Sequence, residues 1–158
     1  RPNKPGVLEE TKGFIVDGKL SDRKRTPFAS GGLYSTAADV TAFYQMMLNG
    51  GVSQGKRLLK KKTVKQMTQT QTGNIETGFV DGMSWGLGFQ VVKKSKGATG
   101  MLSSGTYGHG GAYATQSWAD PKTGLIYVLM IQRAGFPNGD NSLVRKGFQQ
   151  AAVDEFVR

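Results

Sequence analysis

Hydrophobic residues recur at helical spacing early in the chain and change to shorter periods in its second half. Val40, Phe43, Tyr44, Met47 and Leu48 fall at i, i+3, i+4, i+7 and i+8, the spacing that lines one face of an α-helix. Thr36 stands where an N-cap is needed, Asp39 follows as the acidic member of a capping box, and Gly50-Gly51 stops the helix. A weaker stripe of Leu59, Val64 and Met67 predicts a second helix over 60–70. Residues 1–29 are polar, carry Pro2, Pro5 and Pro27 and show little period, so they read as extended loop, as do 74–83.

From Trp85 the pattern becomes that of strands. It predicts strands over 86–92, 106–111 and 112–119, with a loop rich in Lys, Gly and Ser over 93–105. Asp120-Pro121-Lys122-Thr123-Gly124 has hairpin chemistry, with proline at a preset φ and glycine free to take φ > 0. The apolar run that follows predicts a strand over 125–132 buried on both faces. A last helix over 141–157 would bury Val144, Phe148, Ala152 and Phe156. Strands grouped between helices predict an α/β chain of the α+β type, an antiparallel sheet flanked by helices. The expected organisation is an extended segment over 1–30 and one domain over 31–158.

Composition narrows this picture. A hydrophobic content of 37% and 23 glycines fit a turn-rich globular chain. The longest apolar run, 125–131, is far short of the roughly 20 residues that cross a bilayer, so no membrane span is expected. With no cysteine the chain has neither disulfides nor thiolate ligands, and its compartment stays open. The formal charge of +10 gathers in Arg23-Lys24-Arg25, in 56–65 and in Lys93-Lys94-Ser95-Lys96. None of these clusters interleaves with aromatics or accompanies a nucleic-acid-binding motif, so they read as solvated loops and one helix face, with no nucleic-acid partner.

The chemistry concentrates in Tyr107-Gly108-His109-Gly110-Gly111-Ala112-Tyr113, which holds the only histidine. Glycines beside a reactive side chain admit a ligand to the backbone, where free N–H groups can hold developing negative charge. A metal there lacks a second His or Cys to complete an N/S ligand set, and no cofactor is expected. Candidate nucleophiles do not survive their context. Gly82-Met83-Ser84-Trp85-Gly86 spells G-x-S-x-G, but the strand before, the helix after and an acid between Ser84 and His109 are all missing. Ser21-Asp22-Arg23-Lys24 and Ser53-Gln54-Gly55-Lys56 spell S-x-x-K in loop-like sequence, where no helical turn brings lysine to serine. Lys122-Thr123-Gly124 falls in the predicted hairpin turn.

The stretch from Phe28 through Ser30-Gly31-Gly32-Leu33-Tyr34-Ser35-Thr36 to Val40 resembles the serine hydrolases of the β-lactamase superfamily, the class C β-lactamase, DD-peptidase and esterase group. Leu48-Asn49-Gly50-Gly51, Gly55-Lys56-Arg57-Leu58-Leu59, Trp85-Gly86-Leu87-Gly88-Phe89, His109-Gly110-Gly111 and the hairpin from Trp118 to Met130 follow in the same family's order. The resemblance runs from about Pro27 to the C-terminus and places His109-Gly110-Gly111 at the family's Lys-Thr-Gly triplet, as H-x-G.

It implies a cleft whose other wall, with the S-x-x-K serine and a Y-x-N tyrosine, is not in this sequence. His109 would then contact substrate or the tyrosine, the Ala112 N–H would be an oxyanion donor, and Gly110, Gly111 and Tyr113 would border the substrate. The chain is therefore expected to be the C-terminal part of such an enzyme, cut from a longer polypeptide and inactive alone. Its partners would be a small or peptidoglycan-type acyl substrate and the N-terminal portion of the fold. The family also points to a periplasmic or secreted setting, and a sheet missing its N-terminal strands should associate through the open edge. The competing reading is a non-catalytic ligand-binding or structural module of the same fold; charge alone would support a nucleic-acid binder.

Overall fold

A computed structural model describes residues 23–24, 31, 33–75, 80–133, 135–136 and 139–157. The segment predicted over 1–30 lies outside them except for Arg23 and Lys24, which sit in a turn.

Among the described residues, a five-stranded antiparallel sheet is sandwiched between helices. Its strands are β3 (Met83–Trp85), β4 (Gln90–Val92), β5 (Tyr107–Gly110), β6 (Gln116–Ala119) and β7 (Ile126–Leu129), each paired with the next. Side chains alternate between the two faces. Val91, Tyr107, Ala119 and Ile126 join Phe89 against Tyr44 and Met47 of α1 (Ala37–Leu48) and Val64 of α2 (Lys61–Thr68). Val92, Trp118 and Tyr127 face the other way, against Phe148, Ala152 and Val153 of α3 (Leu143–Phe156). A separate hairpin of β1 (Val52–Ser53) and β2 (Lys56–Arg57) joins α1 to α2.

Local chemistry sets the ends of α1. Thr36 Oγ1 accepts the Asp39 N–H at 3.1 Å and donates to the Asp39 carboxylate at 2.8 Å. At the other end the Gly50 N–H reaches Met47 O and the Gly51 N–H reaches Met46 O. This paired C-terminal cap uses Gly50 at φ 64°. The Tyr44 hydroxyl then donates to Ser117 O at 2.8 Å, tying α1 to β6.

Elsewhere tertiary packing revises the pattern. Residues 86–89 form the turn of a β3–β4 hairpin, closed by Gly86 N–H to Phe89 O at 2.8 Å, so only 90–92 of the predicted strand is extended. Met83–Trp85, partly read as loop, becomes a strand by pairing with Gln90–Val92. Residues 112–114 turn, and the strand predicted from 112 begins at Gln116. β7 buries Tyr127 but only half-buries Ile126, Val128 and Leu129; it is an edge strand, and an apolar run does not reveal whether a neighbour covers it. In α3, Phe156 and Val144 are exposed, while Arg145 and Gln149 are fully buried. In α1, Phe43 is part-exposed and Met46 is buried.

The β6–β7 turn is built on Asp120. Its carboxylate accepts the N–H groups of Lys122 at 2.9 Å, Thr123 at 3.3 Å and Ser103 at 3.1 Å. Burial pushes its pKa up, but hydrogen bonds from Ser103, Lys122 and Thr123 outweigh burial and leave the pKa below the usual carboxylate range. The ionised form is therefore favoured in the folded chain. The resulting stability is present above the ordinary carboxylate value of about 4 and is lost as pH falls through the lowered folded value. Asp120→Asn is expected to cost about 1–3 kcal/mol at neutral pH and to flatten the acid limb of stability. Thermal unfolding between pH 2 and 7 checks both; an unchanged acid limb would contradict the assignment.

Candidate functional site

β5 ends at Gly110, and the chain turns back into β6 through Gly111, Ala112, Tyr113 and Ala114. The Ala114 N–H bonds Gly111 O at 2.9 Å, and the Gly111 N–H bonds Thr115 O at 2.8 Å. Ala114 completes the turn at φ 69°, a left-handed position that costs a non-glycine residue about 1–2 kcal/mol. Ala114 is buried, and a Cβ on Gly139 would stand 3.5 Å from its methyl. The turn is thus held from beneath while its top faces solvent.

This geometry leaves the Ala112 N–H at the exposed centre of the turn, with no hydrogen-bond acceptor among the described residues. His109, also exposed, lies opposite Ser117 in the β5–β6 register. Its Nδ1 meets the Gly110 carbonyl, an acceptor, so Nδ1 carries the proton and Nε2 is the ring's free position in the neutral form. Nε2 has no hydrogen-bond partner among the described residues. The Trp85 ring lies beside the imidazole, 5.2 Å between centroids and tilted by 54°. Tyr113 is half-buried, and its carbonyl accepts the Arg133 N–H at 3.1 Å. The five residues picked from sequence therefore form one continuous strand end and turn. The arrangement offers one solvent-facing backbone donor and one imidazole nitrogen. Trp85 beside them is a neighbour that period and motif did not reveal.

The glycines have a structural duty of their own. A Cβ on Gly110 would fall on the Asp140 carboxylate and stand 2.7 Å from Gln116 Nε2; one on Gly111 would fall on Thr115 Oγ1. Sequence reading also missed the polar cluster behind this strand, formed by the buried Gln90, Gln116, Arg145 and Gln149 around the half-buried Asp140. Glutamines and arginine on a helix or strand look like surface residues. Arg145 is nevertheless fully buried, with its guanidinium 3.9 Å from the centroid of the Trp118 ring. Burial lowers its pKa to about 10, against an opposing pull from Asp140, so it stays cationic at neutral pH.

Other groups are unsuited to nucleophile or base roles. Ser84 is fully buried in β3, its Oγ 3.3 Å from Val91 O. Ser53 and Lys56 face each other across the β1–β2 hairpin, with Gln54 and Gly55 at positive φ, so this S-x-x-K is a tight turn and not a helical pair. Ser21 of the other S-x-x-K lies outside the described residues. Lys122-Thr123-Gly124 is the Asp120 turn. Burial pushes Tyr44 and Tyr127 up to about 12 and Tyr107 further up, which keeps all three protonated at neutral pH. Among the described residues there is no group of three or more metal-ligating side chains, and no helix is long and apolar enough to cross a membrane.

The family model described as Beta-lactamase matches residues 2–152. Protein Rv1367c of Mycobacterium tuberculosis is 35% identical over 114 residues, 66% of this chain and 28% of that protein. An Escherichia coli protein named "Putative D-alanyl-D-alanine carboxypeptidase" is 28% identical over 135 residues, 85% of this chain and 28% of its own length. The crystal structure of a beta-lactamase from Mycobacterium bovis shares the fold with a TM-score of 0.59 at 24% identity, over 78% of this chain and 45% of that one. The chain thus spans little more than a quarter of the curated relatives it matches.

The contact beneath Gly110 gives a direct test. Gly110→Ala is expected to destabilise the chain by about 1–3 kcal/mol, as overpacking does. Gly147→Ala, at a helical site with open space around it, should stabilise by about 0.5–1 kcal/mol. Urea unfolding of both variants reads the contrast; equal effects would show that Gly110 is not confined.

Proposed function

The chain belongs to the Beta-lactamase family, and from that premise we propose that it carries the substrate-side wall of a serine hydrolase active site whose nucleophile is supplied by another part of the parent polypeptide. The observation that carries this reading is the strand end itself, where His109 and the Ala112 N–H, which has no acceptor among the described residues, are both exposed on one strand end and turn. Those groups suit acyl transfer. A serine from the facing wall attacks an ester or amide carbonyl, and the carbonyl oxygen becomes an oxyanion beside the Ala112 N–H. The leaving group departs with a proton, and water releases the acyl-serine. His109 Nε2 would hydrogen-bond substrate or the facing tyrosine. Gly111 and Tyr113 would border the acyl group.

One oxyanion donor is worth about 10²–10³ in rate, whereas a missing nucleophile removes covalent catalysis altogether. The isolated chain is therefore inactive on this reading. The substrate class is a peptidoglycan-type D-alanyl peptide, a β-lactam or a carboxylic ester; the name of the Escherichia coli relative favours the first. The edge of β7, which pairs with no described strand, supports a place for strands of the N-terminal portion, and in their absence the edge is expected to promote self-association. Among the described residues no serine and lysine face each other across a helical turn, which favours the competing reading, a non-catalytic module of the same fold.

Intact-mass spectrometry after incubation with a fluorophosphonate separates the two. No adduct is expected on the 158-residue chain, and one stoichiometric adduct on a polypeptide extended at its N-terminus. In that longer protein, His109→Ala should lower kcat/KM by about 10²-fold. An extended protein that is neither labelled nor hydrolytic would favour the non-catalytic module.

A further inference from the structure

The half-buried residue Asp140 touches the candidate site from behind with its carboxylate. Asp140 lies in a short 3-10 turn, Gly139–Asn141, just before α3. Its Oδ1 accepts Gln116 Nε2 at 2.9 Å and its Oδ2 accepts Gln90 Nε2 at 2.8 Å. Gln116 is the partner of Gly110 in β6, and Gln90 is the partner of Gly108 in β4. Both glutamines are almost wholly buried. The carboxylate therefore clasps the strands on either side of β5 while resting against Gly110, whose missing Cβ leaves it room.

The clasp is itself anchored. Arg145 Nη1 donates to Asp140 O at 2.8 Å, its Nε donates to Gln149 Oε1 at 3.1 Å, and its guanidinium covers the Trp118 ring. Trp118 Nε1 donates to Gln116 Oε1 at 2.7 Å, closing the circuit. The preceding residue, Gly139, lies under Ala114 at the other end of the turn. One short segment thus underlies both Gly110 and Ala114, the two residues between which the Ala112 N–H is suspended.

We propose that Asp140 is a positioning residue: held by Arg145, it sets the height and tilt of the Gly110–Ala114 turn and so the direction of the Ala112 N–H and the His109 ring. A backbone donor serves an oxyanion only if it points at the oxygen, and a shift of about 1 Å is worth about 10²-fold in rate. Asp140 touches no reacting atom; it acts through Gly110. The catalytic consequence rests on the oxyanion reading of Ala112, whereas the anchoring does not.

The test uses both readouts. In the 158-residue chain, Asp140→Ala should shift the amide resonances of His109, Gly110, Gly111 and Ala112 and raise their hydrogen exchange at least tenfold, leaving α1 unchanged. Asp140→Asn keeps the volume and one acceptor, and it should show a smaller effect at the same positions; it also serves if the alanine variant does not fold. In the N-terminally extended protein, Asp140→Ala should lower kcat by 10- to 100-fold with KM changed less than threefold, with partial recovery in Asp140→Asn. Unmoved turn amides, or changes spread evenly over the whole sheet, would overturn the proposal. Displaced turn amides with unaltered kcat would uphold the anchoring and sink the oxyanion reading of Ala112 instead.

Discussion

Everything near the candidate site depends on how closely β5 can be approached from the α3 side. Gly108 and Gly110 present bare backbone on that face. A Cβ on Gly108 would run into the backbone and ring of Trp118, and one on Gly110 would run into Asp140. Through these gaps the Trp118 ring and the Asp140 carboxylate reach the strand; both are tied to Gln116, while Arg145 lies over the Trp118 ring and donates to the Asp140 carbonyl. The opposite face of β5 carries Tyr107 in the core under α1 and, at the strand's open end, His109. Alternation thus puts the anchoring contacts on one side of the strand and the exposed imidazole on the other.

The anchor is polar, and burying it is costly. Among the described residues Arg145 Nη2 and Gln149 Nε2 have no partner, a penalty of about 1–3 kcal/mol for each such group. A desolvated guanidinium over an indole returns about 2 kcal/mol. Hydrogen bonds to the Asp140 carbonyl and Gln149 add to that. An apolar cluster could supply comparable stability; directed hydrogen bonds from Asp140 add a defined register between the turn before α3 and strands β4 and β6. Ala114 at positive φ is consistent with this rigidity, since its strain persists only where surrounding contacts enforce it.

The far edge of the sheet has the opposite character. Beside β7 a groove of about 430 Å³ is lined by Thr41 of α1, Ile126 and Val128 of the strand, and Phe148 and Phe156 of α3. This apolar concavity lies away from His109, beside a strand whose outer edge pairs with no described strand. A sheet edge and an apolar groove are both surfaces that a further strand can cover.

Features whose causes are local could be read from the residues alone. Helix α1 follows from its period, the Thr36 cap and Gly50-Gly51; the β6–β7 turn follows from Asp120-Pro121 and Gly124. The His109–Tyr113 segment stood out because glycines beside a lone histidine are chemically unusual, and the family resemblance was carried by short motifs in order. Features that depend on a partner could not be read. Met83–Trp85 is a strand only because Gln90–Val92 pairs with it, and β7 is an edge only because nothing described lies beyond it. The buried face of α3 runs through Arg145 and Gln149 because the Trp118 ring and the Asp140 carbonyl meet Arg145 there, and Gln149 Oε1 accepts from it. The link between Asp140 and Gly110, residues far apart in the chain, exists only once the sheet and α3 are assembled. Sequence by itself determined which segments could be helix, turn or strand, because propensity and capping act over a few residues. Tertiary structure decided which faces are covered and what holds the site, because burial and hydrogen-bond satisfaction are properties of pairs that only folding brings together.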